Sequence, residues 1–256
     1  MTLASEPVST PELPPYPGIH LADVVLVDTA AAADAACLAL GAEAVLGFDT
    51  EAKPTFAKGE VSTGPHLIQL ATEQKTWLFQ IPRHAQHAGL RAIIESAAIL
   101  KVGFGLGSDL AQLRGRLGVE PKGILDLSQA LPREAPNKTL GAKSAVARYL
   151  GQQLAKSRRV TTSNWANPHL NERQMLYAAN DAQVALRIYW LAWAAGDLAA
   201  TGICGRRVER GHTRDNAVGT MTRKDRREDL RHRSAAPEID AARQGADRDR
   251  RRRPAR

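Results

Sequence analysis

The chain has 256 residues, of which 43% are hydrophobic, and this length can bury one sizeable core with room for tails. No apolar stretch reaches the roughly 18 residues of a membrane span, and the N-terminus lacks the basic start and apolar run of a secretion signal. The two cysteines, Cys37 and Cys204, are too few for a disulfide framework, so we expect a cytoplasmic protein.

The net charge of +8 suggests a nucleic-acid partner, but its distribution is uneven. Residues 205–256 hold 17 lysines and arginines against 9 aspartates and glutamates, whereas the rest of the chain holds 18 of each kind. Since the body is neutral, its function has to be inferred from motifs. We divide the chain into a Pro-rich, disordered or loosely attached arm over 1–20, a domain over 21–200, and a basic, disordered tail over 201–256.

Apolar periodicity predicts the elements of the domain. In chain order they are a strand over 22–28, a helix from a Thr29 cap to about Leu40, a strand over 45–49, a hairpin of strands 66–71 and 76–81, a helix over 87–98, a strand over 100–103, a helix from Ser108 to Leu117, a strand over 124–127, a helix over 139–154 and a long helix from Leu170 to about Trp193. Strands followed by alternating strands and helices indicate an α/β domain with a mixed sheet flanked by helices.

Two acids, Asp49 and Glu51, stand at the end of the second predicted strand. Residues two apart on a strand share a face, so these carboxylates lie side by side. Such a pair repels itself unless a cation sits between the two groups, and Mg²⁺ takes oxygen ligands of this kind. Taken alone, the pair is also compatible with two solvated acids at a strand end.

Three further residues extend this set. Asp109 lies in the first turn of a predicted helix, where the helix dipole favours an acid whatever its function. Tyr177 and Asp181 are four apart on the long helix and share a face, as they would on any amphipathic helix. Together, four acids and a tyrosine from three separate segments fit phosphodiester hydrolysis with two metal ions, which requires clustered ligands.

Three motifs contain these residues, namely Gly47-Phe-Asp49-Thr-Glu51, Val102-Gly-Phe-Gly-Leu-Gly-Ser-Asp109 and Tyr177-Ala-Ala-Asn-Asp181-Ala. Between the last two lie Leu154-Ala-Lys156 and Ser163-Asn-Trp165. In this order and spacing, the motifs resemble the DEDDy branch of the DEDD 3′→5′ exonucleases, with the pattern of the Werner-syndrome exonuclease domain and ribonuclease D. The resemblance covers roughly residues 22–195 and implies a ribonuclease H-like fold.

The resemblance also implies a role for each matched position. Asp49, Glu51 and Asp181 would bind the metal that activates the attacking water. Asp49 would also bridge to a second metal held with Asp109, largely through water, and Tyr177 would position the attacking water. The cofactors would be two Mg²⁺ or Mn²⁺ ions, and the partner would be the 3′ end of a DNA or RNA strand, with no membrane involved.

A short basic cluster and a tryptophan are candidates for contact with the strand. Lys156, Arg158 and Arg159 form either a solvated loop or an edge that contacts phosphates. Trp165 is either a base-stacking residue or a core side chain. We therefore take Lys156, Arg159 and Trp165 as candidate substrate-binding residues.

Two other functions stay open at this point. Gly103-Phe-Gly105-Leu-Gly107 follows a strand and opens a helix, and Asp126 lies about 20 residues on, as in a dinucleotide-binding fingerprint. Against that function, Ser108 occupies the third glycine position, and Asp109 would repel a pyrophosphate at the helix start. The other possibility is a non-catalytic nucleic-acid-binding protein with an inactive nuclease fold, although a binding module gains nothing from acids at all four positions.

Overall fold

The computed structural model describes residues 12–57, 59–84, 87–133, 135–155 and 157–198. Contacts between residues divide the chain into a unit Met1–His212 and a second unit Thr213–Arg256, and every described residue belongs to the first. The predicted tail over 201–256 lies outside the described residues, as do Lys156 and the first 11 residues of the arm. No helix in the described ranges has the length and apolar character that a bilayer span requires.

One sheet contains the strands of the described ranges, and helices alternate with them along the chain. The strands are β1 (Val24–Val27), β2 (Val45–Glu51), β3 (Leu67–Ala71), β4 (Thr76–Gln80), β5 (Leu100–Gly103) and β6 (Ile124–Asp126). The helices are α1 (Ala30–Gly41), α2 (Ile81–His84), α3 (Ala88–Glu95), α4 (Gly107–Leu117), α5 (Leu127–Ala130), α6 (Ala142–Leu150), α7 (Arg158–Thr161) and α8 (Glu172–Ala195). Thr29 caps α1 as predicted, because its hydroxyl accepts the N–H of Ala32 at 3.1 Å.

The sheet is mixed, as predicted, with the spatial order β1-β4-β3-β2-β5-β6. Strand β3 is antiparallel to both β2 and β4, while the other neighbouring pairs are parallel. Because β2, β5 and β6 run in the same direction, their ends meet at one edge of the sheet, which we call the carboxyl edge. Glu51, Gly103 and Asp126 are the last residues of these strands.

Helices cover both faces of the sheet. Leu46 and Phe48 of β2 belong to a core cluster that also contains side chains of α1, α3 and α4. Helices α6 and α8 pack on the other face. Since side chains alternate along a strand, Gly47, Asp49 and Glu51 point to the face that α8 covers.

Local chemistry determines where two of these helices begin and end. Helix α8 follows a capping box, in which Asn171 accepts the N–H of Gln174 and the Gln174 side chain accepts the N–H of Asn171. The helix predicted over 139–154 is wrong at both ends, because α6 covers only Ala142–Leu150. Gly151 adopts a left-handed φ of 62° directly after it and ends the helix.

The arm over 1–20 is not loosely attached where it is described. Tyr16 is buried, its N–H donates to the carbonyl oxygen of Gln153 at 2.9 Å, and its hydroxyl donates to Oε1 of Gln183 at 3.2 Å. Ile19 packs in the core cluster that contains residues of α8. The prolines suggest a loose arm, but the burial of these two apolar side chains offsets the entropy lost in ordering this segment.

Candidate active site

A glycine allows β2 and α8 to approach closely at the carboxyl edge. A methyl group at Gly47 would lie 2.0 Å from the carbonyl oxygen of Ala182, so only glycine fits there. Asp181 precedes Ala182 on α8, while Asp49 lies two residues after Gly47 on the same face of β2. The close approach therefore brings carboxylates of the strand and the helix together.

Asp49, Glu51 and Asp181 form a three-acid cluster, in which one carboxylate oxygen from each residue lies within 4.8 Å of the others. All three residues are half-buried. At this separation or less, and at an effective dielectric constant of about 20, each ionised pair repels by about 3.5 kcal/mol or more before the partial screening by solvent. Carboxylate oxygens are the ligands that hard divalent cations prefer, so this set of residues fits an ion such as Mg²⁺ or Mn²⁺.

Asp109 approaches the site from the other face of β2, in the first turn of α4. The hydroxyl of Thr50 donates to the Asp109 carboxylate, and the N–H of Thr50 donates to Oδ1 of Asp49 at 2.9 Å. Burial raises the pKa of Asp109 above its ordinary value, and the hydrogen bond from Thr50 counters only part of this effect. Thr50 therefore links Asp109 to the strand acids. This residue was not among the predicted site residues, although its place between Asp49 and Glu51 was a signal.

The carboxylate of Asp126 holds the glycine-rich loop after β5 by hydrogen bonds. The Asp126 carboxylate accepts the N–H groups of Gly105 and Leu106, both at 2.9 Å, as well as the N–H and hydroxyl of Ser128. The loop N–H groups are those that a dinucleotide-binding enzyme would offer to a pyrophosphate. Because these N–H groups already donate to Asp126, the structure contradicts the dinucleotide-binding interpretation. Asp126 instead fixes the loop that leads into α4 and thereby the position of Asp109.

Tyr177 lies one turn before Asp181 on α8, on the same face, as predicted. Its hydroxyl oxygen lies 2.8 Å from Oγ1 of Thr161. Its ring centroid lies 6.1 Å from that of Trp165. The phenol is thus held at both its hydroxyl and its ring, on the helix that carries one of the clustered acids.

The three candidate substrate-binding residues have different outcomes. Trp165 is 1% exposed, and its Nε1 donates to the carbonyl oxygen of Thr161 at 3.3 Å. It is a core side chain with 1% of its surface exposed, which confirms the core alternative for Trp165 and excludes base stacking by it. Arg159 is exposed on α7, where phosphate contact stays a prediction. Lys156 lies outside the described residues.

A protein-family model described as 3′-5′ exonuclease matches residues 24–190, well over half of the chain. The chain belongs to this 3′-5′ exonuclease family. The matched range contains the three-acid cluster, Asp109 and Tyr177. The tyrosine at this position agrees with the DEDDy branch that the sequence motifs resemble.

Relatives of this exonuclease-family chain share its domain and differ in length. It is 32% identical over 157 residues to the mouse bifunctional 3′-5′ exonuclease/ATP-dependent helicase WRN. The matched segment covers 60% of this chain but only 11% of that protein. It is similar to the solved EXO domain of Aedes aegypti Nibbler, with 27% identity, a TM-score of 0.57 and coverage of 68% of this chain and 88% of that one. Trypanosoma brucei RNase D in complex with RNA U12 shares the fold at 21% identity and a TM-score of 0.58, with coverage of 70% and 63%.

Proposed function

We propose that this member of the 3′-5′ exonuclease family is an active, metal-dependent enzyme that removes nucleotides from the 3′ end of a nucleic acid strand. The observation that carries the proposal is the three-acid cluster of Asp49, Glu51 and Asp181, with Tyr177 one turn away on α8. A protein that only binds strands has no use for carboxylates that repel one another and the phosphates of its ligand. The cluster therefore favours catalysis over the non-catalytic alternative.

Two divalent cations, Mg²⁺ or Mn²⁺, are proposed to bind the acids. The three-acid cluster would hold one ion, and Asp49 with Asp109 would hold the other, while the Thr50 hydroxyl keeps Asp109 close to the strand. When bound, such ions supply Lewis-acid polarisation of the phosphate and lower the pKa of a coordinated water. Because Asp49 is common to both groups of ligands, its loss is expected to damage activity most.

Tyr177 is the side chain that directs the attack of water on the strand in this proposal. In this proposal the Tyr177 hydroxyl orients a water towards the terminal phosphorus. A bond forms between the water oxygen and phosphorus, the bond from phosphorus to the 3′ oxygen of the preceding nucleotide breaks, and that oxygen takes up a proton. The products are a nucleoside 5′-monophosphate and a strand that is one nucleotide shorter.

The proposed substrates are 3′ ends of DNA or RNA. The Trypanosoma relative was solved with RNA U12, which supports testing RNA beside DNA. Arg159, exposed on α7, is proposed to contact a phosphate. The 17 basic residues over 205–256 would add attraction that does not depend on sequence. The low cysteine content, with Cys37 a free thiol, supports a proposed cytoplasmic location.

The test is digestion of matched DNA and RNA strands, single- and double-stranded, each labelled at the 5′ end, with Mg²⁺ and then with Mn²⁺. A 3′→5′ exonuclease produces labelled products that shorten one nucleotide at a time, and excess chelator abolishes the ladder. Asp49→Ala should also abolish it. Asp34→Ala is the matched control, because that carboxylate lies on α1 with 79% of the side chain exposed, and its loss should leave turnover unchanged.

Three results would contradict the proposal. Full activity in excess chelator, or near-normal turnover of Asp49→Ala, would show that the site assignment is wrong. Binding of the strands without hydrolysis under any of these conditions would favour the non-catalytic alternative.

A further inference from the structure

The hydroxyl group of Tyr177 lies next to the hydroxyl of Thr161, which already donates its hydrogen to a backbone carbonyl oxygen. Oγ1 of Thr161 lies 2.8 Å from the Tyr177 hydroxyl oxygen and 3.1 Å from the carbonyl oxygen of Ser157. A threonine hydroxyl carries one hydrogen, and a carbonyl oxygen can only accept. Both contacts are therefore hydrogen bonds at the same time in only one arrangement, in which Thr161 donates to Ser157 and Tyr177 donates to Thr161.

Backbone hydrogen bonds around Thr161 hold its hydroxyl beside that of Tyr177. The N–H of Thr161 donates to the same carbonyl oxygen of Ser157 at 3.0 Å, so the residue is held in the turn of α7 by its backbone as well as its side chain. Its carbonyl oxygen accepts Nε1 of Trp165, which is buried and also lies against the Tyr177 ring. The hydroxyl of Ser163 accepts a hydrogen bond from Nε2 of Gln174, which attaches the segment after α7 to α8.

We propose that Thr161 is a positioning residue that determines the direction of the Tyr177 hydroxyl hydrogen. With that hydrogen donated to Thr161, the phenol oxygen presents lone pairs to the site and receives a hydrogen bond from the attacking water. A water that donates to Tyr177 keeps both of its lone pairs, so one remains for the phosphorus even if a cation holds the other, whereas a water that accepted from Tyr177 would have one of the two occupied by the hydrogen bond. This inference rests on the proposed exonuclease function.

A matched pair of variants separates the Thr161 hydroxyl from the bulk of the side chain. Thr161→Val has nearly the same shape and no acceptor, and it should lower kcat by roughly tenfold, the effect of losing one orienting hydrogen bond. Strand affinity should stay unchanged. Thr161→Ser keeps the hydroxyl and should restore kcat to within about twofold of wild type. In a Tyr177→Phe background, Thr161→Val should have no further effect, because the group through which it acts is gone.

A second measurement uses metal-free protein and does not depend on turnover. The chain has four tyrosines, so a sample with ¹³C at tyrosine Cζ gives a simple NMR spectrum in which the Tyr177 resonance is the one missing from Tyr177→Phe. Because the Cζ shift responds to hydrogen bonding of the hydroxyl, Thr161→Val should move this resonance, and Thr161→Ser should not.

The outcomes separate this inference from the proposed function. An unmoved Tyr177 resonance, wild-type kcat in Thr161→Val, or independent and multiplicative losses in the double variant would overturn the role of Thr161 while leaving exonuclease activity in place. Wild-type protein that hydrolyses neither DNA nor RNA would overturn both, even if the resonance moved. A moved resonance together with the kcat loss, the serine rescue and the absence of a further effect in Tyr177→Phe would support the inference.

Discussion

Gly47→Ala tests whether the contact between β2 and α8 assembles the three-acid cluster. The added methyl group would lie 2.0 Å from the carbonyl oxygen of Ala182 and 2.8 Å from its carbonyl carbon. Both neighbours are backbone atoms, so no side chain can rotate out of the way. Since Cβ contacts essentially never fall below 3.0 Å, the helix and the strand must separate by about 1 Å at this point.

The separation moves Asp181, the residue before Ala182, away from Asp49 and Glu51. Misplacing a catalytic group by about 1 Å costs roughly 10²-fold in rate, so we expect a fall in kcat of this size. Overpacking a tight contact also lowers the unfolding free energy by roughly 1–3 kcal/mol, so the fold should weaken without being lost. Cation affinity should fall as well, because the three carboxylates no longer converge on one ion.

The assay compares kcat at saturating strand concentration, the cation concentration for half-maximal rate, and urea unfolding. Gly115→Ala is the control, because a methyl group there meets nothing within 4 Å. It should keep kcat and stabilise α4 by about 0.5–1 kcal/mol. Wild-type kcat, cation affinity and stability in Gly47→Ala would refute the reasoning. Lost stability with full kcat and cation affinity would show that the contact supports the fold but does not place the acids.

Four further predictions can be checked separately. Tyr177→Phe should lower kcat by about 10²–10⁴-fold with little change in strand affinity, as measured by single-turnover kinetics and fluorescence anisotropy. Asp126→Asn should lower both kcat and, by about 1–3 kcal/mol, the free energy of urea unfolding, because an amide cannot accept from all the donors around it. Burial lowers the pKa of Lys101 from 10.5 to about 8. Between these two pH values the unfolded state binds a proton that the folded state lacks, so the free energy of unfolding should rise with pH. Lys101→Met should remove this rise, as measured by urea unfolding at a series of pH values. Removing residues 205–256 should weaken strand binding at low salt and flatten its salt dependence without changing kcat.

Each of these predictions has a result that contradicts it. Unchanged turnover of Tyr177→Phe would reduce the tyrosine to a packing residue. Full activity and stability of Asp126→Asn would mean that the glycine loop does not depend on the acid. If the pH dependence survives in Lys101→Met, it belongs to another group. Identical salt slopes for the full and shortened chains would rule out recruitment by the tail, and a lower kcat would mean that the tail completes the site.

Local patterns in the sequence were enough to predict the strands, most helices and the three acids that the structure brings together. Asp49 and Glu51 share a face because strand residues two apart do so in any sheet, and Tyr177 and Asp181 share one because helix residues four apart are neighbours. The motif order then indicated the family. These inferences succeeded because each depends on spacing within one element and not on where the other elements lie.

Contacts between distant segments were decided only by the tertiary structure. Nothing local to Thr50 states that its hydroxyl meets Asp109, which is 59 positions away in the chain. Asp126 looked like a ligand-binding acid until the fold placed it on the N–H groups of a neighbouring loop. Likewise, Trp165 had two interpretations that only its burial could separate. The physical reason is the same in each case: a polar or aromatic side chain acquires its role from the partner that packing brings to it, and that partner is not encoded in its own stretch of sequence.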